Sequence, residues 1–129
     1  MQSVVYRVEH VEHGNGPYIR KDRGINWCIR GLHDAHQASS DHPGPKQDGL
    51  WMALNEYKHV FGFPTREAAD WWFKNFKHKL KAEGFVVNVY ESEYVRVSDS
   101  GKQCIFEKNP ERLIDTQSVI GYSKYYQTN

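Results

Sequence analysis

Ala69, Trp72, Phe73, Phe76 and Leu80 recur at i, i+3, i+4, i+7 and i+11. Only an α-helix lays such a series along one face. Pro64-Thr65 opens the segment, with Thr65 in the N-cap role, where its hydroxyl can accept from an orphan backbone N–H. Gly84 stands where a C′ glycine ends a helix of about five turns. Lys74, Lys77, Lys79 and Lys81 take the other faces and the C-terminal half, where they suit the helix dipole. The spacing predicts one long amphipathic helix over about residues 65–83, and its apolar stripe requires another layer to cover it.

Short extended segments supply that layer. Residues 3–9 (SVVYRVE) read as a strand with Val4, Tyr6 and Val8 on one face and Val5, Arg7 and Glu9 on the other. His13-Gly14-Asn15-Gly16-Pro17 is a turn signal. Residues 59–63 (HVFGF) form a short strand ahead of the helix, and residues 85–91 (FVVNVYE) form a β-branched, aromatic strand after it. Residues 94–97 and 102–106 flank the turn Ser98-Asp99-Ser100-Gly101 and should make a β-hairpin. A long polar loop insertion separates the first two strands. The fold class is therefore α+β: a mainly antiparallel sheet with one long amphipathic helix. At 129 residues the chain is expected to be a single domain, 1–129, with 109–129 as a loosely packed tail.

Composition narrows the function. The net charge of +1 sets up no global field toward nucleic acid or an anionic membrane, so neither is an expected partner. No run of 18 apolar residues exists, and Met-Gln-Ser-Val-Val lacks a leader's charged and apolar regions. The chain reads as soluble, cytoplasmic and not secreted. Cys28 and Cys104 lie far apart with no CxxC or CxxH pattern. They read as reduced, apolar side chains, a single bridge being the alternative.

The insertion contains HDAHQASSDHPGPKQDG over residues 33–49, with three histidines and three aspartates. His33 and His36 are spaced for one helical turn, and His42, Asp34, Asp41 or Asp48 could complete a ligand set. The flanks hold no cysteine to close a structural zinc site, and no metal is expected. His33, His36 and His42 are then candidates for contacting a ligand's phosphates or a partner, on a loop that covers a pocket.

Two polar residues stand among apolar strand neighbours. Arg7 lies between Tyr6 and Val8, where a guanidinium either faces water or meets a carboxylate or phosphate bidentately. Gln103, beside Cys104 and Ile105, can read a ribose hydroxyl or cap a backbone group. Taken together, Val5-Tyr6-Arg7-Val8-Glu9, Val60-Phe61-Gly62-Phe63-Pro64-Thr65 and Lys102-Gln103-Cys104-Ile105-Phe106 make a layout that resembles the compact ADP-ribosyltransferase-like fold, seen among toxins and virus-encoded effectors. The resemblance covers roughly residues 3 to 106. It implies NAD or a related nucleotide as ligand, Arg7 as its anchor, and Tyr18, His42, Phe61, Phe63 and Thr65 as lining. Arg7, Gln103 and Glu107 are its implied catalytic set. Gln103 occupies the position where a catalytic member carries Glu. The resemblance thus implies either that Glu107, Glu91 or Glu93 supplies the carboxylate, or that the site binds without transferring.

The competing reading is a non-enzymatic interaction module presenting Trp27, Trp51, Trp71 and Tyr18 to a partner protein. Trp71 flanks the apolar stripe and is better suited to core packing. Lys74, Lys77, Lys79 and Lys81, with Arg66 and His78, form a basic helix face that on this net charge reads as solvated.

Overall fold

The computed structural model describes residues 3–17, 42–55 and 57–120. Its elements run β1 (Ser3–His10), β2 (His59–Gly62), α1 (Arg66–Trp72), α2 (Lys77–Ala82), β3 (Phe85–Ser92), β4 (Val95–Val97), β5 (Cys104–Glu107), a 3-10 turn (Pro110–Arg112) and β6 (Leu113–Ser118). Among the described residues all strand pairing is antiparallel, in two three-stranded sheets ordered β1-β3-β6 and β2-β5-β4. The fold is α+β and sheet-dominated. A two-bond bridge joins the sheets at their edges: Tyr6 N donates to Phe63 O at 3.0 Å, and Phe63 N to Tyr6 O at 2.7 Å.

Strand alternation sends β1 side chains into two separate cores. Val8 enters the larger one, beneath the helices, with Phe63, Ala69, Trp72, Phe73, Leu80, Phe85, Val87 and Val119. Val5 enters the smaller one, with Tyr90, Cys104 and Phe106, between the two sheets. Gly62 permits that closeness, because a Cβ there would lie 2.8 Å from the Phe106 ring and 2.9 Å from Tyr6 O.

The single long helix over 65–83 is corrected to two short ones. Thr65 is the N-cap, its Oγ1 accepting from Ala68 N at 3.0 Å, but α1 ends at Trp72. Residues 73–76 form a turn with i to i+3 bonds, Phe76 N donating to Phe73 O at 2.8 Å, before α2 begins. Aromatic and Asn side chains are weaker helix formers than the flanking Lys and Ala residues. The tighter turn keeps Phe73 and Leu80 on the sheet side, so the apolar stripe survives the break. Gly84 has φ +89°, the left-handed conformation expected after the helix.

The predicted hairpin is present as β4–β5, with Val95 opposite Phe106 and Val97 opposite Cys104. Gly101, at φ +76°, turns it. Within the region read as a tail, residues 113–118 form β6, an edge strand on β3 with mostly exposed side chains. Arg66 fastens it. This buried residue donates to Gln117 Oε1 at 2.9 Å, Ser118 O at 2.9 Å and Val119 O at 3.2 Å. Arg66 therefore leaves the basic helix face to which the sequence assigns it. No helix among the described residues is long and apolar enough to cross a membrane.

Candidate functional site

Between the sheets, next to the smaller core, four donors converge on one carboxylate. Glu9 is fully buried. Its Oε2 accepts from Arg7 Nε at 2.8 Å and from Lys108 Nζ at 2.5 Å. Its Oε1 accepts from Asn88 Nδ2 at 2.7 Å and from the Tyr90 hydroxyl at 2.5 Å. The strands dictate this meeting: Arg7 and Glu9 share a face of β1, and Arg7 lies opposite Asn88 and Val5 opposite Tyr90 on β3. Thr116 of β6 donates to Asn88 Oδ1 at 2.8 Å, which fixes the orientation of the amide.

Burial alone would raise the Glu9 carboxyl, but hydrogen bonds from Asn88, Lys108 and Tyr90, with the charge of Arg7, hold it below the ordinary value of 4.5. Tyr90 is pushed upward, by burial first and then by its bond to ionised Glu9. A carboxylate so satisfied is a weak base at neutral pH. Its chemistry is to hold two cations in place. Arg7 Nη1 also donates to Phe61 O at 2.6 Å, and Lys108 Nζ donates to Gly14 O at 3.2 Å. Nη2 of Arg7 makes no hydrogen bond to the described residues. It packs against Gly16, where a Cβ would approach to 3.3 Å.

A second polar knot lies at the β4–β5 turn. Buried Gln103 donates through Nε2 to Pro43 O at 2.7 Å and to Asp48 Oδ2 at 3.0 Å. Ser100 donates to both oxygens of Asp48, at 2.8 Å each. Burial raises the Asp48 carboxyl, and these bonds, led by Gln103, outweigh it and lower it. Gln103 thus pins residues 42–50 to the hairpin.

The residues read as one cleft occupy several places. Arg7 sits in the Glu9 cluster and holds the Phe61 carbonyl. The Phe61 side chain is exposed. Phe63 is buried, 5.7 Å from the Trp72 and Phe73 ring centroids. Thr65 caps α1. His42 stacks on Trp71 at 5.1 Å, and its Nε2 lies 3.0 Å from Trp72 O. Glu107 is exposed on β5, opposite His59. Tyr18, Trp27, Cys28, His33 and His36 lie outside the described residues. Cys104 is a free thiol, pushed up to about 12 by burial. Among the described residues no three of His, Cys, Asp and Glu gather into a metal site.

Glu9, Asn88, Tyr90 and Lys108 escaped the sequence reading as site residues. Asn88, a lone amide inside Val-Val-Asn-Val-Tyr, was the available signal. Lys108 came without one, since it reaches Glu9 across 99 residues of chain.

A further surface feature is the segment after Leu50. Leu50 is fully buried, while Trp51, Met52 and Tyr57 are 59%, 95% and 96% exposed. Single turns hold the segment, Leu54 N donating to Leu50 O at 3.0 Å and His59 N to Asn55 O at 2.8 Å.

No curated protein and no solved structure matches the chain. The family model described as Bacteriophage T4 Y00F protein matches residues 1–120, nearly the whole sequence, and the chain belongs to that family.

Proposed function

We propose that this phage-family protein works by binding another protein, without catalysis, through the segment that carries Trp51, Met52 and Tyr57. The observation behind this reading is their exposure beside the buried anchor Leu50. Large aromatic and thioether side chains left in water are what interface hot spots are made of. The two polar knots support the same reading, because Glu9 and Gln103 are committed to holding strands and loops together. The test compares the tagged wild type with Trp51→Ser/Met52→Ser/Tyr57→Ser in lysate from infected cells, with partners quantified by mass spectrometry. A partner retained by the wild type and lost by the triple variant, whose melting temperature is unchanged, supports the proposal. Identical retention by both overturns it.

One observation favours a second reading, a nucleotide effector that binds NAD or a related ligand without transferring it. Glu9 and the Phe61 carbonyl orient Arg7, while Nη2 keeps a donor for a phosphate oxygen beside Lys108. Millimolar NAD should then raise the melting temperature of the wild type and not of Arg7→Lys. No shift in the wild type overturns this reading and leaves the first intact.

A further inference from the structure

Averaging charge over the chain hides a local strip. Residues 74–82 (KNFKHKLKA) carry four lysines and no carboxylate. The fold brings a fifth, Lys102, from the β4–β5 turn to the same place. Lys102 Nζ lies 4.8 Å from the Trp71 ring centroid and Lys74 Nζ lies 5.0 Å from it. Lys79 Nζ stands 5.8 Å over the Phe76 ring. Trp71 and Phe76 are half-buried, and His42 stacks on Trp71 at 5.1 Å, which leaves the lysine side of that ring for a ligand, while Lys74, Lys79, Lys81 and His78 are exposed and Lys102 is half-buried. Asp70, the acidic residue just before Trp71, is bound to Arg66 at 3.0 Å and Lys77 at 2.7 Å.

We propose that Trp71, Phe76 and the lysines over them form a binding strip for single-stranded nucleic acid. Two aromatic stations with ammonium groups at their faces supply both things such a strand needs: π surface for unpaired bases and cations for the phosphates between them. A lysine lying over a ring can swing to a phosphate and give the ring face to a base. Duplex bases are already stacked and cannot use the rings. The strip uses no residue of the Trp51–Tyr57 segment and stands or falls without it.

The experiment uses the full chain and a fluorescein-labelled oligothymidylate of 15 nucleotides, followed by anisotropy at low and moderate salt. Binding should weaken as salt rises. In Lys74→Gln/Lys102→Gln the slope of log K against log salt should flatten by about 1.4, the value for two lost phosphate contacts on a single strand. Trp71→Phe, which keeps a ring, should bind more tightly than Trp71→Leu. Lys74 is exposed and Lys102 half-buried, so the melting temperature of the double variant is measured beside the wild type's, and an unchanged value shows that the fold is intact. Three outcomes overturn the proposal: no binding at low salt, equal affinity for a duplex of the same length, or displacement by polyphosphate as efficient as by unlabelled strand.

Discussion

Replacing Glu9 with Gln preserves the side chain's shape and removes its charge at the point where four donors meet. Whichever oxygen becomes the amide nitrogen, it faces two donors: Arg7 and Lys108 on one side, Asn88 and Tyr90 on the other. Breaking one partner out of a buried ion pair costs about 3–5 kcal/mol. The Arg7 and Lys108 side chains remain 13% and 22% exposed, so water can solvate the abandoned cations. That places Glu9→Gln at the low end, about 3 kcal/mol. With about 2.1 cal/mol/K of unfolding entropy per residue, the melting temperature should fall by about 11 °C. The pH dependence carries its own sign. Because the folded carboxyl lies below 4.5, its stabilisation is complete above the unfolded value and disappears as pH falls through the folded one. Scanning calorimetry between pH 7 and pH 3 should therefore show the gap between wild type and Glu9→Gln closing below about pH 4.5. Exposed Glu93→Gln serves as control and should leave the melting temperature nearly unchanged. A Glu9→Gln protein within about 2 °C of wild type at pH 7, or a gap that ignores pH, refutes the reasoning.

Four other substitutions probe the remaining joints. Gly62→Ala drives a Cβ into Phe106 and the Tyr6 carbonyl and should cost about 3 kcal/mol in urea unfolding. At Gly101, where no atom lies within 4 Å and only φ +76° resists, Ala should cost about 1 kcal/mol. Arg66→Lys loses the fork that reaches Gln117, Ser118 and Val119. It should cost about 2 kcal/mol and speed hydrogen exchange in residues 115–118 more than in β1. Gln103→Glu sets a second carboxylate against Asp48 and removes the bond to Pro43. It should destabilise by about 2–3 kcal/mol at pH 7, with recovery on acidification as one carboxyl takes up a proton.

What could be read from sequence was what neighbouring residues decide among themselves. Thr65, Gly84 and the Ser98–Gly101 turn announce local geometry, and the structure uses each as expected. The stripe from Ala69 to Leu80 was legible because burial, not helix continuity, sets its period. The break at 73–76 was not, since tertiary packing against the sheet selects the tighter turn. β6 went unseen because it pairs through its backbone while its side chains stay in water, leaving no alternation to detect. Arg7 and Glu9 were placed on one face, but Asn88, Tyr90 and Lys108 reach Glu9 from 79 to 99 residues away. No short-range pattern carries such a meeting.

The register of β1 also governs when the protein can form. Ser3 must find Ser92, and His10 must find Phe85, before the first strand has a partner along its length. On the ribosome β1 emerges well ahead of β3, and its apolar residues stay uncovered until that strand follows. Folding is then a collective event, slow by the rule that distant contacts delay the transition state. During that wait the nascent chain is most open to chaperones, to proteases and to pairing with another copy of itself.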